Sequence, residues 1–183
     1  MIIFDLDGTL ADCSHRKHFV THNKSHGFDQ LYELKEGKWI HKFNGSKWKP
    51  DWQSFYEACD QDIPIDPTIR IMNQFLLMDG MEESFDLQIW SGRCESVRLK
   101  TLIWLENTFD IYGHDTYFFD SILKMRQIGD YTPDDQLKER WLNEALAQGK
   151  TIDFVIDDRK KVIDMYLRRG IFVFDVAQGK GDF

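Results

Sequence analysis

Long apolar runs are missing from this 183-residue chain, and no stretch approaches the roughly 18 residues that a membrane-spanning helix needs. Cysteine is scarce. Cys13, Cys59 and Cys94 are scattered and odd in number, which speaks against a disulfide framework or a zinc site and fits reduced thiols in a cytoplasmic protein. Positive charge is in deficit: 23 Lys and Arg against 31 Asp and Glu give a formal charge of -8, which argues against a protein gripping extended duplex through many phosphates. Binding one nucleic-acid end, or a mononucleotide, stays open. There is no Gly-x-x-x-x-Gly-Lys-Ser/Thr phosphate loop, no internal repeat and no low-complexity tract. The chain opens directly on strand-like residues, so no signal peptide is expected. With 42% apolar and 14% aromatic residues, the composition suits one packed domain with an insertion.

What is present starts at residue 1. Met1 to Phe4 is apolar and β-prone, and Asp5-Leu6-Asp7-Gly8-Thr9 then breaks the pattern. Side chains alternate along a strand, so Asp5 and Asp7 are expected on one side, beyond the strand's carboxyl end. Ligands bind at that end in open α/β sheets. Two carboxylates so close persist only with a cation between them or with one protonated.

Residues 13–65 differ in texture from the rest. They hold five of the six histidines (His15, His18, His22, His26 and His41) and three of the six tryptophans (Trp39, Trp48 and Trp52), with little β-α alternation. Lys38 to Trp48 has the form of a hairpin around Asn44-Gly45, and Asp51 is placed to cap a helix carrying Trp52, Phe55, Tyr56 and Cys59. The segment reads as an inserted cap between a core of residues 1–12 and 66–183. No carboxylate or cysteine pattern completes a metal site with its histidines.

The core then alternates regularly. A helix is expected from Asp66-Pro67 to about Asp79, with Gly80 available to end it, then a strand over Phe85 to Trp90 that stops at Ser91-Gly92-Arg93. A helix over Cys94 to Phe109 and a short strand over Thr116 to Phe119 follow. Thr132-Pro133-Asp134-Asp135 has the form of a capping box for a helix to Ala147, with Gly149 behind it. Thr151 to Ile156 reads as a strand ending at Asp157-Asp158-Arg159, Lys160 to Arg169 as a helix, and Ile171 to Phe174 as a last strand. The pattern is α/β, a doubly wound parallel sheet with a small insertion after the first strand. Polar clusters at three equivalent strand ends define a site.

With these residues in place, the chain resembles the haloacid dehalogenase superfamily of phosphotransferases. Asp5-Leu-Asp-Gly-Thr9 is similar to that family's first motif, Ser91 to its second, Lys138 to the lysine of its third, and Asp157-Asp158 to its fourth. Within the superfamily it looks most like the 3′-phosphatase domains of phage polynucleotide kinases. The residues behind this closer likeness are Arg16, Ser91-Gly92-Arg93, Met125-Arg126 with Gly129-Asp130, Asp134 four before Lys138, Asp157-Asp158-Arg159, and Val176-Ala177 with Gly181-Asp182-Phe183. The stretch between the first two motifs is longer and richer in aromatics than in those domains.

The resemblance implies a phosphatase with Asp5 as nucleophile and Asp7 as the general acid and then base, neutral at the start. Asp5, Asp157, Asp158 and the Asp7 backbone carbonyl would bind Mg²⁺ through oxygen. Ser91 and Lys138 would hold the transferring phosphoryl group, and Arg16, Gly92, Arg93, Arg126 and Asp134 would bind the substrate. The expected substrate is a 3′-phosphate at a polynucleotide end or on a nucleotide, with a base stacking on Trp39, Phe43, Trp48 or Trp52. The runner-up is a 5′-nucleotidase acting on free nucleoside monophosphates. A receiver-like or binding module is a rival of another class, but a receiver places its acidic pair and its phospho-acceptor in the reverse order.

Overall fold

The computed structural model describes residues 1–22, 27–78, 85–109 and 113–177. The features expected at His26, Gly80 and Gly181-Asp182-Phe183 lie outside these residues.

The centre of the molecule is the apolar run that opens the chain. Strand β1 (Ile2–Phe4) is flanked on both sides by parallel partners, β6 (Leu87–Cys94) and β8 (Phe154–Asp157). Beyond them lie β7 (Leu123–Arg126) and β9 (Val173–Asp175), giving one five-stranded parallel sheet in the order β7-β6-β1-β8-β9. Both faces of β1 are covered, so its residues are all apolar rather than alternating.

Ile2 and Phe4 point to a core built with Met72 and Leu76 of α3 (Asp66–Met78), Leu102 and Leu105 of α4 (Arg98–Thr108), and Phe119 of α5 (Thr116–Ile122). Ile3 points the other way, into a second core with Leu137, Trp141 and Leu142 of α6 (Asp134–Ala147) and Val162 and Tyr166 of α7 (Lys160–Arg168). Burying each of these large side chains contributes about 1.5–3 kcal/mol, so the period of two in β1 fixes which layer each helix joins.

Between the short β2 (Ala11–Asp12) and its antiparallel partner β5 (Ile63–Pro64) the chain makes a 3₁₀ turn over Ser14–Phe19, helix α1 (Phe28–Leu31), and a hairpin of β3 (Tyr32–Lys35) and β4 (Lys38–His41). Helix α2 (Trp52–Glu57) follows, with the Asp51 side chain accepting from the Ser54 N–H as expected.

Local readings are corrected at several places. Thr116 to Phe119 is helical, not extended: Asp115 caps it by accepting from the Phe118 N–H, and the strand comes seven residues later at Leu123. Its β-prone residues were outweighed by the cap and by burial of Phe119 against α4. Strand β6 runs through Ser91 to Cys94 instead of stopping at Trp90, with an irregular register against β7 between Ser91 and Cys94. Thr132 caps nothing. Helix α6 begins at Asp134 with Pro133 at its N-cap, a residue with no side-chain acceptor, so no side chain caps it. The hairpin expected around Asn44-Gly45 is present as the isolated bridge Ile40–Lys47, and a second partner strand, β3, lies before it.

Candidate active site

The carboxyl ends of β1, β6 and β8 open into a cavity of about 570 Å³. Asp5, Asp7 and Lys138 lie at its floor, Gly92, Arg126, Asp134 and Arg159 along one side, and Trp52, Phe55 and Tyr56 of α2 form an aromatic wall. Gln127 to Pro133 make a further rim with the exposed Ile128 and Tyr131.

Two groups of charges meet at this floor. In the first, Lys138 Nζ lies 2.6 Å from an Asp5 oxygen and 2.8 Å from an Asp157 oxygen. One oxygen from each of Asp5, Asp157 and Asp158 lies within 4.8 Å of the others. Burial pushes the Asp5 carboxyl well above its ordinary range despite Lys138, and burial with the Asp157 charge pushes Asp158 up to about 6. Burial alone would lower Lys138, but Asp157 and Asp5 outweigh it and raise the ammonium. The carboxylates crowded around Lys138 present hard oxygen ligands that suit a divalent cation such as Mg²⁺. Gly8 makes the crowding possible. It has φ of +90°, and a Cβ there would fall 2.0 Å from Asp158 Oδ2.

The second group is sealed. Asp7 Oδ1 accepts from Arg16 Nη2 at 2.7 Å, Arg93 Nε at 2.8 Å and Arg93 Nη2 at 2.5 Å. Behind the arginines lies Asp62, whose carboxylate takes Arg16 Nε at 2.7 Å, Arg16 Nη2 at 2.6 Å and Arg93 Nη2 at 2.5 Å. Trp104 Nε1 fixes the backbone of Asp62 by donating to its carbonyl at 2.7 Å. Both arginines are fully buried, so they do not lie open in the cavity as surface contacts for a substrate. This also corrects the expected charge of Asp7. Burial pushes its carboxyl up, but Arg93 and Arg16 outweigh burial and hold it at about 2, so it is ionised rather than neutral. All three bonds use Oδ1, and Asp7 lines the cavity.

The remaining expected residues are placed as follows. Ser91 is fully buried in β6 with Oγ accepting from the Arg93 N–H at 3.2 Å, one residue before Gly92. Arg126 donates to the Gly92 carbonyl at 2.9 Å, to the Thr132 carbonyl at 2.5 Å and to Asp134. Arg159 pairs with the other Asp134 oxygen. A Cβ on Gly92 would meet Asp134 Oδ1 at 2.7 Å, so glycine is what lets that carboxylate approach the strand. Asp62 was missed in the sequence. Its neighbour Asp60 is equally acidic, and only a fold that returns residue 62 to residues 16 and 93 distinguishes the two.

Residues 51–183, which carry Ser91, Lys138, Asp157 and Asp158 but not Asp5 or Asp7, match the model of the polynucleotide kinase PNKP phosphatase domain. The chain belongs to that family. It is a phosphatase domain of the haloacid dehalogenase type, and the match begins after the β3-β4 hairpin. A chain in a solved Pnkp1/Rnl/Hen1 complex is similar over all of this chain and 46% of its own, with a TM-score of 0.58 and 24% identity. One in the Pnkp1/Rnl/Hen1 RNA repair complex gives a TM-score of 0.57 and 23% identity over all of this chain and 43% of its own. These likenesses bear on the fold, and this chain spans less than half the length of either. No curated protein matches it. Among the described residues no helix is long and apolar enough to cross a membrane.

Proposed function

We propose that the protein is a Mg²⁺-dependent phosphomonoesterase that removes a 3′-phosphate from a polynucleotide end through an aspartyl-phosphate on Asp5. The observation that carries the reading is Lys138 between Asp5 and Asp157, with Asp158 completing a three-carboxylate cluster at the mouth of β1 and β8. Asp5 and Asp157 with Asp158, joined by the Asp7 backbone carbonyl, would hold the cation, whose charge offsets that of an arriving phosphate dianion.

Asp5 attacks phosphorus in line, forming its O–P bond as the bond to the leaving oxygen breaks. Lys138 offsets charge between Asp5 and the phosphoryl oxygens, while Gly92, which lines the cavity, offers its N–H and the buried Ser91 behind it holds the Arg93 N–H. Asp7, ionised in the free protein, first takes up a proton from solvent as the phosphate enters, then delivers it to the leaving oxygen and later accepts one from the water that cleaves the acyl-phosphate. Because Arg16 and Arg93 anchor Asp7 through Oδ1, Oδ2 is the oxygen that handles the proton. The incoming dianion raises the affinity of Asp7 for a proton against the pull of the arginines. Residues 13–65 act as a cap over this chemistry, with α2 contributing the aromatic wall.

Of the rings expected to stack a base, Trp39 and Trp48 pack around Phe28 and His22, which favours a structural role. Trp52 is 43% exposed, lies stacked against Tyr56 and lines the cavity, so it is the ring suited to a terminal base. A cavity of this size also accommodates a free mononucleotide, which keeps the 5′-nucleotidase as the second reading. Phosphate release is measured from 3′-phosphorylated oligonucleotides, 3′- and 5′-mononucleotides and an aryl phosphate. Fastest turnover of the oligonucleotides per unit concentration supports the first reading, and preference for 5′-mononucleotides overturns it.

A further inference from the structure

The charge of the chain is unevenly distributed. Residues 35–49 contain Lys35, Lys38, Lys42, Lys47 and Lys49 against the single acid Glu36, a formal +4 within fifteen residues, which leaves -12 on the rest of a chain of net -8. All five lysines are exposed. Lys35 pairs with Glu33, and Lys42 donates to the Asp29 carbonyl; among the described residues Lys38, Lys47 and Lys49 have no carboxylate within pairing distance.

These lysines sit on a built element. Strands β3 and β4 pair over four residues through the Glu36-Gly37 turn, and the chain returns so that the His41 N–H donates to the Ser46 carbonyl and the Trp48 N–H to the Trp39 carbonyl. Trp39, Trp48, Phe28 and His22 pack together beneath it, with centroids 4.3–5.9 Å apart. At the far turn Phe43 stays 79% exposed beside Lys42. At the near end Lys49 is three residues before Trp52 on the cavity wall, at most about 11 Å of chain away. The arm is therefore basic, carries an exposed ring and begins at the rim of the site.

We propose that this β3-β4 arm is a binding surface for a single-stranded phosphodiester chain, taking the nucleotides that precede the one in the cavity. Lys38, Lys47 and Lys49 contact successive phosphates, and Phe43 offers a stacking platform. The inference rests on the proposed polynucleotide substrate. The acidic remainder of the surface repels a strand, so the arm is the part of the described protein that attracts one without steering it across the core. A mononucleotide has no phosphates to reach the arm, which makes length the distinguishing variable.

The test measures direct binding of a fluorescent 12-nucleotide strand ending in a 3′-hydroxyl, as DNA and as RNA, from 50 to 200 mM salt. Wild type is compared with the variant Lys38→Ala/Lys47→Ala/Lys49→Ala and with Phe43→Ala. Losing three single-strand contacts lowers the slope of log affinity against log salt by about 2, which is a wild-type advantage about 16-fold larger at 50 than at 200 mM salt. Phe43→Ala weakens binding about 5- to 150-fold with the salt slope kept. Equal binding by wild type and the triple-lysine variant, or none by wild type, overturns the arm. Phosphate release from the 3′-phosphorylated form of the same strands is read in parallel. Strand binding that depends on the lysines without any release leaves the arm standing and fails the polynucleotide phosphatase reading instead. DNA and RNA bound alike marks recognition of the backbone, and a preference for either names the source of the strand.

Discussion

Two groups of charged side chains share the floor of one cavity, and they differ in balance. Asp7 and Asp62 face Arg16 and Arg93, two acids against two bases, with Asp62 and both arginines fully enclosed. Asp5, Asp157 and Asp158 crowd around Lys138, which bonds two of them, while Arg159, paired with Asp134, acts on all three. The balanced group holds Asp7 at about 2 and ionised, while burial still pushes the Asp62 carboxyl up. In the unbalanced group burial first, and the neighbouring carboxylates after it, push Asp5 and Asp158 above their ordinary range. A protein retains such a cluster where the missing charge arrives from outside, as a cation and a reacting group. On the proposed reading the second group is the receptor and the first anchors Asp7, although Asp5 and Asp7, one from each, stand two residues apart after β1.

Substitutions should break the two groups in opposite ways. Asp5→Asn removes the proposed nucleophile from the unbalanced group, and phosphate release should fall at least about 1,000-fold. Its melting temperature should change little, since one of three crowded charges is lost while the shape is kept. Activity close to wild type would remove Asp5 from the mechanism. Asp62→Ala strips a carboxylate from the balanced group and leaves two buried arginines sharing Asp7, at a cost of about 3–5 kcal/mol. For a chain of this size that is a drop of about 6–20 °C in Tm. A Tm within a degree of wild type would mean the sealed group is not sealed in solution.

Mg²⁺ sharpens the contrast without any mutation. A cation bound by the unbalanced group at 100 times its Kd stabilises the folded protein by about 2.7 kcal/mol, or roughly 5–11 °C. Melting curves in chelator and in Mg²⁺ should differ by this amount for wild type and for Asp62→Glu. Asp157→Asn should need far more Mg²⁺ for the same rise. Identical curves with and without the ion, for every variant, would leave the carboxylate cluster without its cation.

How much of this was legible beforehand follows from the range of each interaction. Asp5, Asp7, Asp157 and Asp158 were readable because each follows a short apolar run, and a strand end is a local signal. Lys138 was expected from the resemblance of its helix to the third motif, four residues after Asp134, and it lies between Asp5 and Asp157. Asp62 was not, because nothing local separates it from Asp60; its partners are 46 and 31 residues away. The charge state of Asp7 was misjudged for the same reason. Proximity to Asp5 was visible in the sequence, whereas two arginines converging on one oxygen were a product of the fold. Thr116 to Phe119 failed differently, since its apolar residues suited either period and Asp115 decided between them.

The smallest expected effect lies outside both groups. Trp52 touches the cavity from α2, stacks on Tyr56, and makes no bond to any member of either charged cluster. If it serves as the platform for a terminal base, Trp52→Ala costs about 1–3 kcal/mol of substrate binding. KM for a 3′-phosphorylated nucleotide then rises about 5- to 150-fold, while KM for a small aryl phosphate, which has no base to stack, stays near its wild-type value. If the ring only packs the wall, Tm falls and both substrates suffer together. Comparing the two KM ratios with the melting curve separates these cases. A Trp52→Ala protein that loses Tm and shows equal ratios would return base recognition from the wall to the strand-binding arm alone.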